Sequence, residues 1–259
     1  MEQGIICKEY YIGKFIYLKD MLDNRLANVS FGRFRNEKVV VLYSWDKVKG
    51  EFIRRRLSSV NPEWNRLCEI AQTRLRYEEQ LKLIKNNWNA RYKGDLGKLS
   101  EGYKIIRNES SFFNSDYWDS LGNNTCDFRN DYPVYHNGLI MRSQFEADVA
   151  DILESIGIEY KYDTKIIMPN RKIQYPDMAM NFPEYDRCGF VEVMGGLGSV
   201  KYTSRNAEKI DSYISAGIYP NRDLAIIPGD QDYRPDHDTI RRIIGVIIDS
   251  IAKSHVVRR

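Results

Sequence analysis

Three histidines, four cysteines and no apolar run near the ~20 residues of a membrane span set the first limits on this chain. Cys7, Cys68, Cys126 and Cys188 are scattered without CxxC spacing, which argues against a zinc site or a disulfide framework and for a reducing, cytoplasmic setting. His136, His237 and His255 have no ligand spacing, so histidine-led metal chemistry has little support. The start, MEQGIICKEYYIGK, lacks a charged head followed by an apolar run, so neither a secretory signal nor a membrane partner is expected. Internal repeats and low-complexity tracts are missing too, which removes solenoids and disordered tails from consideration.

What remains has the composition of an ordinary folded protein, 42% hydrophobic and 29% charged over 259 residues. The net charge of +3 conceals an asymmetry. Residues 1–100 hold 20 Lys and Arg against 12 Asp and Glu, and the rest holds 19 against 24. A basic half followed by an acidic half suggests phosphate attraction in one part and metal binding in the other, although surfaces also vary without such a division.

Residues 1–60 read as a basic, β-rich module, with strands expected in YYIGKFIYL and KVVVLYSW and a turn at Arg35-Asn36-Glu37. Within it Arg54, Arg55, Arg56 and Lys47, in the company of Trp45 and Trp64, form a basic stretch of the kind that binds nucleic acid; a solvated basic face is the plain alternative. Residues 61–94 read as one long helix. Asn61-Pro62 opens it, Leu67, Ile70, Tyr77, Leu81, Ile84 and Trp88 recur at three- and four-residue steps, and Gly94 follows it. Its heptad-like stripe, interrupted by Arg74, suits packing on its own chain or against a second copy. Residues 95–137 have no sustained period and read as a connecting segment.

From Gly138 onward the pattern is regular. An amphipathic helix carries Phe145, Val149, Leu153 and Ile156 on one face and ends at Gly157. Strand-like runs IEYKYDTKIIM, KIQYPDMAM and GFVEVMG follow, then a helix over about 203–216, a strand over 224–227 and a last helix with Ile240, Ile243, Ile244, Ile247 and Ile251 inward. The order is αβββαβ, so an α/β domain over 138–259 is expected, with a mixed sheet flanked by helices.

Acidic residues punctuate that order: Glu146 in RSQFE, Asp177 in YPD and Glu192 in FVEVMG. A carboxylate between valines is costly unless paired or metal-bound. With these residues the last 120 positions resemble the PD-(D/E)XK nuclease superfamily, whose restriction-endonuclease-like core has the same element order. The resemblance implies a metal-dependent nuclease, most simply a DNA endonuclease using Mg²⁺ or Mn²⁺. Asp177, Glu192 and the carbonyl of Val193 would hold the metal, and Glu146 would assist. Hydrolysis of a phosphodiester suits such a set, because oxygen donors seat a hard cation that polarises phosphate and activates water.

The chain departs from the family at Met194, where a lysine is usual. Lys209, in one helical stripe with Tyr202 and Tyr213, could supply that charge from the next helix, and the segment is similar to a bacterial and phage-associated branch with a Tyr, Lys, Tyr helix. Plainer roles stand beside these. Ser143 and Glu146 also form a capping box, Asp177 could be a turn residue, and Lys209 could be a solvated helix lysine. Gly195-Gly196-Leu197-Gly198 reads as a hinge beside the site, because no Lys-Ser/Thr pair follows it.

The leading alternative is a nuclease-fold protein without catalysis, serving in nucleic-acid binding or assembly. A further one is an unrelated α/β enzyme acting on a small phosphorylated substrate. DNA is the expected partner with RNA left open, and a homodimer is compatible because cutting both strands often needs two sites.

Overall fold

The computed structural model describes residues 6–46, 48–107, 111–123, 133–196, 200–230 and 232–259; Lys47, one of the four basic candidates, lies outside the described residues, as do Leu197 and Gly198. The chain is a mixed α/β protein of two compact units, one formed by residues 14–97 and the other by 1–13 with 98–259. In order, the elements are α1 (Lys8–Asp20), β1 (Val29–Phe34), β2 (Glu37–Asp46), β3 (Glu51–Leu57), α2 (Trp64–Arg91), α3 (Leu96–Ser100), β4 (Tyr103–Ile105), α4 (Ser115–Ser120), β5 (Val134–His136), β6 (Leu139–Met141) and α5 (Gln144–Ile156). They continue as β7 (Glu159–Tyr162), β8 (Ile166–Ile167), β9 (Ile173–Gln174), β10 (Met178–Phe182), β11 (Arg187–Met194), α6 (Val200–Ser215), β12 (Leu224–Pro228), α7 (His237–His255) and β13 (Val256–Arg258).

The first expected strand is corrected: YYIGKFIYL lies in α1, not in a strand. Tyr10, Lys14, Leu18 and Leu22, at four-residue steps, are all buried, which is a helical stripe with a lysine in it. That lysine disguises the period, while the aromatic and β-branched residues favour a strand locally. Tertiary contacts decide the matter. The Tyr10 hydroxyl donates to the Ile156 carbonyl at 2.9 Å, and Gly13 lies so close to Tyr185 that an added Cβ would fall 2.3 Å from its hydroxyl oxygen.

In the unit of residues 14–97, β1, β2 and β3 form an antiparallel sheet with β2 central. Val29 and Val40 pack on Leu67 and Ala71 of α2, so the long helix buries part of its stripe against its own unit. Arg74, the interruption in that stripe, is functional in packing: its guanidinium donates to the carbonyls of Leu22 at 2.8 Å and Leu26 at 3.3 Å. These carbonyls belong to the π-turn Met21–Arg25 and to its C-cap Leu26, where regular helical partners run out.

In the other unit the central sheet has strand order β12-β11-β10-β7, antiparallel except for the parallel β11–β12 pair. A parallel neighbour needs a crossover, and α6 supplies it. Alternation then fixes what each face meets. Ala179, Cys188, Phe190 and Leu224 join Tyr213 of α6 and Trp118 of α4 in one cluster. On the other side α7 packs on β12 and on α5, and α5 packs on β7. The segment read as a connector contributes structure here. Trp118 and Leu121 enter the core cluster, and β4 pairs with β13, the last strand of the chain.

Candidate active site

Antiparallel register builds the site. Met178 pairs with Val191, so the next positions, Asp177 and Glu192, stand opposite each other at the end of β10 and β11, on the face that carries α6. Both are buried. Asp177 Oδ2 accepts from the Val193 amide at 2.6 Å and Oδ1 from Arg142 Nη2 at 2.6 Å. Glu192 Oε1 accepts from the Tyr213 hydroxyl at 2.5 Å and Oε2 from Lys209 Nζ at 2.6 Å. Lys209 also donates to the Tyr175 carbonyl at 3.0 Å. The stripe of α6 thus brings Lys209 and Tyr213 to one carboxylate, two residues along β11 from Met194, which is buried.

Glu146 reaches the same pocket from the first turn of α5. Ser143 is the N-cap, its hydroxyl accepting from the Glu146 amide at 3.2 Å. The Glu146 carboxylate reaches back to the Arg142 amide at 3.1 Å and accepts from the Tyr162 hydroxyl at 2.6 Å. Capping and site lining therefore coexist. The pocket, of about 430 Å³, is lined by Arg142, Ser143, Glu146, Asp177, Glu192, Val193, Tyr202, Asn206, Lys209, Asp230 and Arg234, among others. Tyr202 lies against Gly196 so closely that a Cβ there would meet its ring at 2.8 Å, which explains a glycine in this turn.

Charge is crowded here. Burial and the neighbouring Asp177 push the Glu192 carboxyl up to about 8, against the pull of Lys209 and Tyr213. Burial and Asp177 also raise Glu146. Burial alone would lower Lys209, but Glu192 and Asp177 outweigh it and hold the ammonium above the ordinary lysine range. Arg142 is likewise raised: desolvation opposes its charge, yet Asp177, Glu146 and Asp163 surround it.

Arg142, Tyr162 and Asp163 are site residues that sequence reasoning missed. Asp163 is held in the left-handed region, φ +46°, with its amide donating to the Asp177 carbonyl at 2.8 Å and its carboxylate 3.5 Å from Arg142. An arginine just before a helix cap is ordinary in sequence, so nothing marked it. The basic run of β3 is divided by strand alternation. Arg54 and Arg56 pair with Tyr43 and Val41, whereas Arg55 pairs with Leu42 on the helix-packed face.

A second cluster, outside this pocket, involves a histidine. His136, Asp151 and Glu154 form the one group of three or more such side chains, among the described residues, whose ligand atoms all lie within 4.8 Å of one another, and it could hold a metal ion. It is assembled from β5 and α5, which is why no local spacing reveals it. One of its carboxylates is already engaged: Glu154 accepts from Tyr160 at 2.9 Å and Asn137 at 2.7 Å, with His136 Nε2 at 3.0 Å, whereas Asp151 lies 3.9 Å from His136 Nδ1. His255 is a buried core residue beside Tyr185. No helix among the described residues is long and apolar enough to cross a membrane. No family model, curated protein or solved structure matches the chain.

Proposed function

We propose that the chain is a metal-dependent nuclease that hydrolyses phosphodiester bonds in DNA, with a PD-(D/E)XK-like core formed by α5, β7, β10, β11, α6 and β12. The observation that carries this is the facing pair Asp177 and Glu192, buried at one end of a mixed sheet with Lys209 2.6 Å from Glu192. Two adjacent buried carboxylates with a lysine beside them are a costly arrangement for packing alone.

The donor set fits Mg²⁺ or Mn²⁺: Asp177, Glu192 and the Val193 carbonyl offer hard oxygen, with Glu146 on the same pocket wall. Bound there, the ion supplies Lewis acidity toward a phosphate oxygen and a hydroxide near neutral pH. The protein's own residues do the rest. Lys209, anchored by Glu192 and Tyr175, has a third N–H to orient a water or offset charge on the phosphate. Tyr213 fixes the Glu192 carboxylate. Arg142 donates to Asp177 Oδ1 at 2.6 Å and also faces Asp163 and Glu146, so it orients the Asp177 carboxylate and places a positive charge on the pocket wall where a phosphate would lie.

Incubation with supercoiled plasmid at low salt and Mg²⁺ or Mn²⁺ should give nicked and linear DNA. Asp177→Asn and Lys209→Ala should each reduce cleavage at least about 100-fold, with plasmid retention in a gel shift kept. Retention without nicking by the unmodified protein, with both metals, would replace this function by nucleic-acid binding or assembly.

A further inference from the structure

We propose that the exposed part of the β1–β3 sheet face opposite α2 is a binding surface for single-stranded nucleic acid, with bases stacking on Trp45 and Phe52 and phosphates held by Arg54 and Arg56. The register places these residues together. Trp45 pairs with Phe52, Tyr43 with Arg54 and Val41 with Arg56, so all of them share the face opposite to the one packed on α2. Trp45 is 54% and Phe52 70% exposed, and their rings meet edge to face at 4.9 Å. Large aromatics left in water side by side on a small sheet mark an interaction surface.

Charge selects the partner. Arg54 and Arg56 are both exposed on this face, and residues 29–57 as a whole hold eight Lys and Arg against three Asp and Glu, so a polyanion is the partner that the charge favours. The arginines already lie over aromatic rings, Arg54 at 5.9 Å from the Tyr43 centroid and Arg56 at 4.9 Å from that of Phe34. Phe52, Arg54 and Arg56 follow one another at ~7 Å steps along β3, a stacking group followed by two phosphate-binding groups along one line. The aromatics select single over double strands, since a ring can stack on a base only where the base is unstacked from its neighbours. A duplex would offer this face phosphates alone and leave Trp45 and Phe52 without partners.

The surface is built from residues outside the proposed cleavage site, so it is tested separately. The full chain carrying Asp177→Asn, in EDTA, is titrated against labelled oligo(dT), oligo(rU) and a duplex of equal length. The expected result is tighter binding of either single strand than of the duplex. Replacing Trp45 and Phe52 together by Leu should weaken single-strand binding at least about fivefold, whereas Trp45→Phe should keep it within about twofold.

Arg54→Gln with Arg56→Gln should lower the salt slope of binding by about 1.4 for the pair. Because the double leucine variant alters a packed ring pair, tryptophan emission gives a second readout. Oligo(dT) should quench it in the parent, and Trp45→Phe should remove that quenching while still binding. Equal or tighter duplex binding, no binding to any of the three ligands, or quenching unchanged by Trp45→Phe would overturn the proposal. Cleavage can fail while this binding holds, and the reverse, so the two outcomes are separable.

Discussion

Glu192 concentrates the chemistry of the site in one side chain. Its folded carboxyl titrates near 8 because burial and Asp177 penalise the anion, whereas an unfolded glutamate titrates near 4.3. Between those values the native protein keeps a proton that the unfolded chain has released, so stability falls as pH rises from about 4.3 to about 8. Glu192→Gln removes the titration while keeping a hydrogen-bonding side chain. Thermal denaturation across pH should therefore show the variant gaining on the parent through that window, with no further gain above it; a constant difference would mean that Glu192 is ionised in the folded protein throughout. Cation binding competes with the same proton. The rise in Tm given by Mn²⁺ should accordingly be larger at pH 8.5 than at pH 6, and Asp177→Asn should abolish it at both.

At the scale of elements, local signals and tertiary demands can be told apart. Ser143 at the N-cap and Gly157 at the left-handed C-cap, φ +80°, are local devices, and both ends of α5 are legible from the sequence for that reason. Ser143→Ala should lower stability by about 1 kcal/mol in urea denaturation, without changing the slope; a loss under a few tenths would mean that the Glu146 carboxylate already does the capping through the Arg142 amide. Asp177 and Glu192 are visible because an acid inside an apolar strand breaks the pattern, and Lys209 because it shares a stripe with two tyrosines. Arg142 leaves no such trace. Nor does α1, where Lys14 sits in the buried stripe and the surrounding aromatics mimic a strand. The pairing of β4 with β13 joins positions about 150 apart, beyond the reach of any local period.

For the whole molecule, the charge asymmetry follows the structural division. The unit of residues 14–97 holds 18 Lys and Arg against 10 Asp and Glu, and the remainder of the chain holds 21 against 26. Basic charge therefore belongs to the unit with the open aromatic sheet, and acidic charge to the unit with the carboxylate pocket. If the two tasks are divided in this way, each ligand should protect its own unit from hydrogen exchange. Mn²⁺ should slow exchange in α5, β10, β11 and α6, because a ligand that binds only the folded site suppresses its local opening, by about 2.7 kcal/mol at a hundredfold excess over Kd. Oligo(dT) in EDTA should instead slow exchange in β2 and β3. Mass spectrometry of peptides from both units reads the two patterns in one experiment, and protection of β1–β3 by metal alone would show that the tasks are not separated along the chain as the charges suggest.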